Sequence, residues 1–178
     1  METGLEPEKI PAFHERFVEL FEAHFHRVHR YLNRLSGDPE LAADVAQEAF
    51  IKLYRRGSLP DSPEAWLISV AMNLFRNAAS ARSRRLRLLT PARGEGVLAD
   101  PPAAPDQALE AEDARRRVRL ALDRMPEREQ RMLLLRAEGY SYRDIASALN
   151  LNEASVGALL ARARRAFREI YEETSGAP

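Results

Sequence analysis

The spacing of apolar positions predicts a chain of helices. Apolar residues recur every three or four positions through most of the sequence, and no convincing alternation of apolar and polar residues, as in a strand, is present. The first periodic segment places one apolar set on a single face: Phe13, Phe17, Phe21, Phe25, Val28, Leu32 and Leu35. Because glycine readily takes the left-handed conformation that ends helices, this helix is predicted to end at Gly37. The pattern predicts an all-α fold.

Local start signals divide the first half into three helices. Asp38 precedes Pro39, which is the order of an N-cap and a first helical residue, and this second helix runs to about Arg56. Ser62 and Pro63 repeat the signal for a third helix, which continues into an arginine cluster. Residues 10–88 are therefore interpreted as one N-terminal helical domain.

Residues 89–107 interrupt the helical periodicity. Their central stretch, "TPARGEGVLADPPAAP", is rich in Pro, Gly and Ala, and acidic residues accumulate there and just beyond. This composition is typical of a flexible linker. The sequence therefore predicts two small helical domains joined by a flexible acidic linker.

The C-terminal segment, residues 108–173, has the pattern of a helix-turn-helix. A helix begins at Pro126 and stops at Gly139, Ser141 and Asp144 form a capping-box sequence, and Asn150 suits the turn before the last helix. Apolar residues fall where the two helices of such a motif must touch: Ile145, Ala146, Leu149, Leu151, Val156 and Leu160. A three-helix packing unit without DNA-binding activity would share part of this pattern.

Charge is balanced overall but unevenly distributed. The chain has 27 basic and 27 acidic residues, yet no acidic residue occurs from position 65 to 94. An acidic segment follows, and arginines return at 115–119 and 162–168. Two basic patches separated by an acidic spacer indicate two modules that contact polyanions. Either patch taken alone would also fit a solvated helix face.

The exposed sides of the second and third helices differ in chemistry. The second presents Asp44, Gln47 and Glu48, an acidic and amide edge suited to a basic protein surface. The third presents basic and amide residues beside the aromatic Trp66: Asn73, Arg76, Asn77, Ser80 and Arg84. Rings that stack on bases, next to arginines that follow the backbone, are typical of single-strand binding. Trp66 taken alone would also fit a core position.

The last helix raises the question of how DNA would be read. Its outward positions begin with small residues, Ala154, Gly157, Ala158 and Ala161, and only then become basic with Arg162, Arg165 and Arg168. We therefore expect mainly phosphate contacts by the arginines, with base reading left to Asn152, Glu153 and Ser155. In the alternative interpretation, these four small residues, which we call the smooth face, pack against a protein such as an inhibitory partner.

Several function classes are disfavoured. Without cysteine there is no disulfide or thiolate metal site, and no apolar run is long enough for membrane insertion. His14, His24, His26 and His29 lie on the first helix, but no residues complete a metal site around them. We expect no catalytic residues, no metal and no cofactor, and a cytoplasmic location.

Three stretches carry a family resemblance: "AADVAQEAFIKLY", "AWLISVAMNLFRNAASARSRR" and "ALDRMPEREQRMLLLRAEGYSYRDIASALNLNEASVGALLARARRAFRE". In this order and spacing the sequence resembles the extracytoplasmic-function (ECF) sigma factors of bacterial RNA polymerase, over about residues 13–172. The resemblance implies a protein that directs promoter-specific initiation, with core polymerase, promoter DNA and an anti-sigma factor as partners. In this interpretation, residues 10–88 correspond to sigma region 2 and residues 108–173 to sigma region 4.

The resemblance also implies residue roles. Asp44, Gln47 and Glu48 would dock on the clamp helices of the largest polymerase subunit. The loop with Ser58 and Asp61, together with the helix from Trp66 to Arg84, would open and hold the non-template strand of the minus-ten element. The helix-turn-helix, with Arg143, would bind the minus-thirty-five duplex and lean on the flap of the second-largest subunit.

Departures from the family pattern affect both DNA surfaces. Met72 stands where a basic residue is common and Asn77 where an acidic one is common, while Gly157 and Leu159 replace residues that usually reach DNA. The remaining alternative is a stand-alone helix-turn-helix regulator that does not join the polymerase. Such a regulator would need a dimer interface or an effector pocket in its N-terminal half.

Overall fold

A computed structural model describes residues 9–89 and 106–175 of the chain, and the side chains of residues 12–81 and 112–174. Within these ranges the regular structure is helical throughout: α1 (Lys9–Ser36), α2 (Pro39–Arg56), α3 (Pro63–Leu89), α4 (Asp106–Asp123), α5 (Glu127–Ala137), α6 (Tyr142–Leu149) and α7 (Glu153–Ser175). In the part described, none of these helices is apolar over the length that a membrane span requires. The predicted linker falls mostly on residues 90–105, outside the described residues.

The predicted helix boundaries are confirmed at the positions that carry capping signals. The Asp38 side chain accepts hydrogen bonds from the backbone N–H groups of Glu40 and Leu41, and Gly37 has a φ of 68°. Ser141 and Asp144 form the reciprocal capping box at the start of α6, and Asn150 ends that helix with a φ of 53°. The helix expected at Pro126 begins one residue later, with Pro126 as its cap.

The first three helices pack around an apolar core. Val28, Tyr31 and Leu32 of α1 are fully buried, and α2 contributes Phe50 and Leu53 to the same core. The N-terminal half of α1 is more open than its periodicity suggests, because Phe21 keeps 38% of its surface exposed. Its ring nevertheless lies edge-on to Phe50, with centroids 5.1 Å apart.

The last four helices form the second half of the molecule. α6 and α7 pack against each other, and four of the six residues predicted for this contact are buried: Ile145, Ala146, Val156 and Leu160. The other two, Leu149 and Leu151, are partly buried against the same core. α5 packs on both of these helices, and α4 lies along α7. The buried positions of α7 therefore fix which of its sides faces outward.

The two halves pack directly on each other. α5 contacts α1 and α6 contacts α3, and the buried residues of both halves belong to one continuous cluster. Arg119 of α4 donates to the carbonyl oxygens of Arg34 and Leu35 at 2.7 Å and 3.2 Å. Its guanidinium lies so close to Gly37 that an added Cβ there would be 3.1 Å away. The molecule is therefore closed, with its C-terminal half resting on α1 and α3.

Candidate polymerase and nucleic-acid interfaces

The acidic edge of α2 is open to solvent. Asp44 and Gln47 are exposed, and Glu48 is partly exposed with one oxygen 3.7 Å from the Lys52 ammonium, one helical turn away. An exposed pair of this kind contributes little to stability and leaves the carboxylate available. The three residues predicted to contact protein thus lie on one helix and are accessible to a partner.

An apolar groove runs beside this edge, between α1 and α2. It encloses about 680 Å³ and is lined mainly by aromatic rings, Phe17, Phe21, Phe25, Phe50 and Tyr54, with Gln47 on its wall. The ring centroids of Phe17 and Tyr54 are 5.0 Å apart and nearly perpendicular. Tyr54 itself is 49% exposed. The edge therefore combines acidic and amide groups with open aromatic surface, a combination common in protein interfaces.

The predicted minus-ten residues occupy α3 and the loop before it. Ser58 and Asp61 of the loop are exposed, as are Asn73, Arg76, Asn77 and Ser80 of the helix. Arg76 donates to the Asn73 side-chain oxygen at 2.7 Å, which joins these two neighbours into one polar unit. Trp66 is only half-buried and packs against the core, so both of its interpretations keep structural support. The Arg84 side chain lies outside the described residues.

Part of this α3 surface faces the C-terminal half. Asn73 and Arg76 line a cleft of about 280 Å³ whose opposite wall is formed by Arg128, Leu149 and Asn150. Met72, beside them on α3, lines the same cleft and is 5% exposed. In the closed molecule, α5 and α6 therefore lie opposite part of the predicted single-strand face, whose residues Asn73 and Arg76 remain exposed.

The helix-turn-helix leaves the predicted upstream readers on its outer surface. Arg143, Asn152, Glu153 and Ser155 are all exposed. The Asn152 side-chain oxygen, however, accepts a hydrogen bond from the backbone N–H of Ala154 at 3.0 Å. Asn152 therefore caps the start of α7, a role that its sequence position did not reveal, and its amide nitrogen and the second lone pair of its oxygen remain for base contact.

The smooth face of α7 is narrower than the sequence suggests. Ala154, Ala158 and Ala161 are exposed, but Gly157 is half-buried, and a Cβ built on it would lie 3.5 Å from the ring of Tyr142 on α6. That ring keeps 41% of its surface exposed. The Arg136 guanidinium lies 5.5 Å from its centroid. An aromatic residue from the preceding helix therefore fills the position where the recognition helix has no side chain.

The arginines in the basic half of α7 differ in whether a carboxylate lies near them. Arg165 and Arg168 are exposed, whereas Arg162, also largely exposed, lies 3.6 Å from a carboxylate oxygen of Glu129. At this separation and exposure the pair is weak, so Arg162 remains available for phosphate. All three predicted arginines lie on the outer side of the helix.

Sequence reasoning missed an ionic cluster between the two halves. Glu138 at the end of α5 has only 2% of its side chain exposed, and the guanidinium groups of Arg30 and Arg34 lie 3.0 Å from its two oxygens. Arg27 donates to the Glu138 carbonyl oxygen at 2.8 Å and lies 3.7 Å from the centroid of the Tyr140 ring. The i, i+3, i+7 spacing of these arginines was visible in the sequence, but their partner lies more than 100 residues away.

The histidines of α1 form no metal site in the described part of the chain, where no group of three potential ligands is found. His24 instead lies 3.7 Å from Glu64 of α3, which also pairs with Arg27 at 3.0 Å. These contacts join α1 to the start of α3, which is a structural role.

Comparisons with known proteins match both halves of the chain. Residues 20–85 match the model for sigma-70 region 2, and residues 115–167 match that for sigma-70 region 4. The chain is 31% identical over 160 residues to the ECF RNA polymerase sigma factor SigE of Mycolicibacterium smegmatis, covering 88% of this chain and 62% of that one. It is 32% identical to the RNA polymerase sigma-H factor of Pseudomonas aeruginosa, covering 83% and 81%.

A solved structure shares the fold. The sigma factor RpoE of Bartonella quintana, crystallised with the anti-sigma factor NepR, superposes with a TM-score of 0.62 at 17% identity, over 89% of this chain and 98% of that one. The homologues do not favour a stand-alone regulator. From the two matched regions and from relatives that match more than four fifths of this chain, the chain belongs to the ECF sigma factors, which direct bacterial RNA polymerase to promoters.

Proposed function

We propose that this chain binds core RNA polymerase and directs promoter-specific initiation through two DNA-binding surfaces on separate halves. Residues 10–88 act as the region that docks on the polymerase and opens the minus-ten element. Residues 108–173 bind the minus-thirty-five duplex, and residues 89–107 connect the two. The protein works by binding energy, with no chemical step carried out by its own side chains, and acts in the cytoplasm.

The polymerase contact uses the acidic edge of α2. The clamp helices of the largest subunit are the proposed partner of Asp44, Gln47 and Glu48. Their exposure and the aromatic groove beside them are what support this assignment. Carboxylates at such a surface select a basic partner and speed its association, while the rings supply apolar area.

The minus-ten contact uses the loop before α3 and the outer side of that helix. Ser58, Asp61, Trp66 and Asn77 hold unpaired bases of the non-template strand, and Arg76 and Arg84 follow its backbone, with Asn73 and Ser80 beside them. Support comes from the basic and amide character of this side and from the exposure of the residues described. Base capture stabilises separated strands because each captured base is no longer free to pair.

The minus-thirty-five contact uses the start of α6 and the outer side of α7. Arg143, Arg162, Arg165 and Arg168 bind phosphates, while Asn152, Glu153 and Ser155 face the bases. Support comes from their exposure and from the small residues between them, which allow close approach to the groove. This half also leans on the flap of the second-largest subunit, and an anti-sigma factor holds the protein inactive.

The observation that carries the proposal is the exposed acidic edge of α2 in a chain that also holds a helix-turn-helix. The test mixes the chain with sigma-free core polymerase and measures complex formation and promoter-dependent transcription. The double variant Asp44→Lys/Glu48→Lys should weaken the complex at least tenfold, while Glu19→Lys, a charge reversal on an exposed residue of α1, should not. A wild-type chain that forms no complex and supports no initiation would refute the proposal.

A further inference from the structure

Glu138 is the point at which the C-terminal half is held on α1. Its side chain is almost completely buried. Arg30 donates a hydrogen bond to one carboxylate oxygen at 3.0 Å, while the other oxygen lies 3.0 Å from the Arg34 guanidinium as an ion pair without a hydrogen bond. A charge this buried is tolerated because it is paired. The carboxylate thus neutralises two arginines that belong to the other half of the molecule.

These arginines form a row on α1. Positions 27, 30 and 34 are separated by three and four residues, so Arg27, Arg30 and Arg34 lie on one side of the helix. Arg27 donates to the backbone carbonyl oxygen of Glu138, and its carboxylate partner is Glu64, which belongs to its own half and lies 3.0 Å away. If the halves separate, Arg27 keeps this partner, whereas Arg30 and Arg34 lose the carboxylate that now pairs with them.

The C-terminal half contacts both the helix that carries the arginine row and α3. α5 packs on α1 at the row, and α6 packs on α3, where Asn73 and Arg76 line the cleft shared with Leu149 and Asn150. One movement of the C-terminal half would therefore remove Glu138 from the half-exposed Arg30 and Arg34 and open the cleft beside α3.

The proposed function requires such a movement. The two promoter elements are centred roughly 25 base pairs apart, or about 85 Å at 3.4 Å per base pair. In the closed molecule, α3 and α6 line opposite walls of a single cleft. Two DNA surfaces in contact with each other cannot occupy elements that far apart, so the halves must separate on the promoter.

We propose that the arginine row is a further DNA-phosphate site, which Glu138 occupies in the closed chain and phosphates occupy in the open one. This inference builds on the proposed function. A guanidinium group donates charge-assisted hydrogen bonds to carboxylate and phosphate oxygens alike, so one anion can replace the other. Glu138 then acts as an internal competitor of DNA, and DNA binding at the row favours the open chain.

The test compares charge changes on the two sides of this contact in the full-length free chain. Glu138→Gln removes the competitor and keeps the row, whereas Arg30→Gln/Arg34→Gln removes the row. Binding of short fluorescein-labelled duplex and single-stranded DNA is measured from 50 to 200 mM salt. Arg16→Gln, at an exposed position of α1 away from the C-terminal half, is the control for a single charge loss.

The two variants should move DNA affinity in opposite directions. Glu138→Gln should bind severalfold more tightly than the wild-type chain. The double arginine variant should bind more weakly, with a salt slope lower by about 1.8 on duplex and about 1.4 on single strands. Over that fourfold rise in salt, the wild-type chain should lose about tenfold more duplex affinity than this variant.

A second measurement reports the separation of the halves. Because the chain has no cysteine, a dye pair can be placed by Ala23→Cys and Ser147→Cys, both exposed positions. Energy transfer should fall in both Glu138→Gln and the double arginine variant, and in the wild-type chain when DNA is added. Both variants would then show separated halves, but only Glu138→Gln would bind DNA more tightly than the wild-type chain.

Several results would overturn the inference. One is an opened double arginine variant with the wild-type salt slope; another is a Glu138→Gln variant with unchanged energy transfer and DNA affinity. Tighter binding of a polyglutamate peptide than of DNA would identify the row as a protein site. If circular dichroism shows that the double variant is unfolded, Arg30→Lys/Arg34→Lys replaces it. The lysine variant should keep the wild-type salt slope of DNA binding and weaken the contact between the halves. A reduced salt slope in the lysine variant would contradict the proposed phosphate site. Failure of the wild-type chain in transcription, by contrast, would refute the proposed function, because the DNA comparison needs no polymerase.

Discussion

The guanidinium carbon of Arg27 lies 3.7 Å from the centroid of the Tyr140 ring, which is itself 1% exposed. The same guanidinium donates to the carbonyl oxygen of Glu138 and to the carboxylate of Glu64. One side chain of α1 thereby contacts the start of α3 and the turn after α5. The planar guanidinium group therefore stacks as a cation on the Tyr140 ring and also donates hydrogen bonds to two separate acceptors.

Arg27→Lys should destabilise the closed molecule by about 1 to 2 kcal/mol. Lysine keeps the charge but cannot stack as a plane and donate to two separate acceptors, so ring contact and hydrogen bonding are both reduced. The measurement is the free energy of unfolding in urea. Arg16→Lys at an exposed site should change it by less than about 0.5 kcal/mol. Equal losses in the two variants would contradict a special role for Arg27.

The buried tyrosines predict loss of stability at high pH. Burial raises the pKa of Tyr140 and of Tyr31, with neighbouring arginines only partly offsetting the effect. Below the ordinary tyrosine pKa near 10, both tyrosines keep their protons in the folded and the unfolded chain. In that range they add no pH dependence to the free energy of unfolding. Above it the unfolded chain releases protons that the folded chain retains, so stability falls by about 1.4 kcal/mol per pH unit for each tyrosine.

The check is urea unfolding between pH 8 and 11 in the wild-type chain and in Tyr140→Phe. The variant should lose about half of the alkaline decline attributable to the two tyrosines. The same change at the exposed Tyr54 should leave the decline as it is. A decline that Tyr140→Phe leaves intact would have another origin, such as lysine deprotonation.

Two glycine substitutions should have opposite effects. Gly157→Ala places a methyl group at an ordinary contact distance from Tyr142 and removes backbone freedom from a helix, so it should stabilise by about 0.5 to 1 kcal/mol. Gly139→Ala forces a side chain onto a backbone with a φ of 83° and should destabilise by about 1 kcal/mol or more. Thermal unfolding distinguishes the two, and a destabilised Gly157→Ala would show that the Tyr142 contact is tighter than described.

Upstream DNA binding should depend on salt through the outer arginines of α7. Arg165→Gln should lower the salt slope for duplex binding by about 0.9, equally on the minus-thirty-five sequence and on a scrambled one. Arg16→Gln, at an exposed position of α1 outside both basic patches, is the matched control. If Arg165→Gln weakens only the specific duplex, the residue reads bases rather than phosphates.

Local rules explain what the sequence could predict of the fold. Gly37, the Asp38–Pro39 start and the Ser141–Asp144 capping box act within a few residues, and all three form as predicted. The exposed side of each helix also follows from its periodicity, which is why Asp44, Asn73 and Arg165 are accessible. Their proposed binding roles remain predictions for the experiments above.

Contacts between distant segments were beyond that reasoning. Glu138 stands next to a glycine that ends a helix, where an exposed carboxylate is the ordinary expectation, yet it is buried by arginines more than 100 residues earlier. Gly157 belongs to the smooth face by helix arithmetic, but Tyr142 from another helix covers it. Both depend on how helices pack, which the periodicity of a single helix does not specify.

The distance along the chain between Arg30 and Glu138 also has a consequence for synthesis. The two residues are 108 positions apart, so at 5 to 20 residues per second the ribosome needs about 5 to 20 s to add Glu138 after Arg30. During that interval the nascent N-terminal helices carry Arg30 and Arg34 without the carboxylate that later neutralises them. These helices must therefore fold on their own core, on a ribosome whose RNA is itself a dense polyanion.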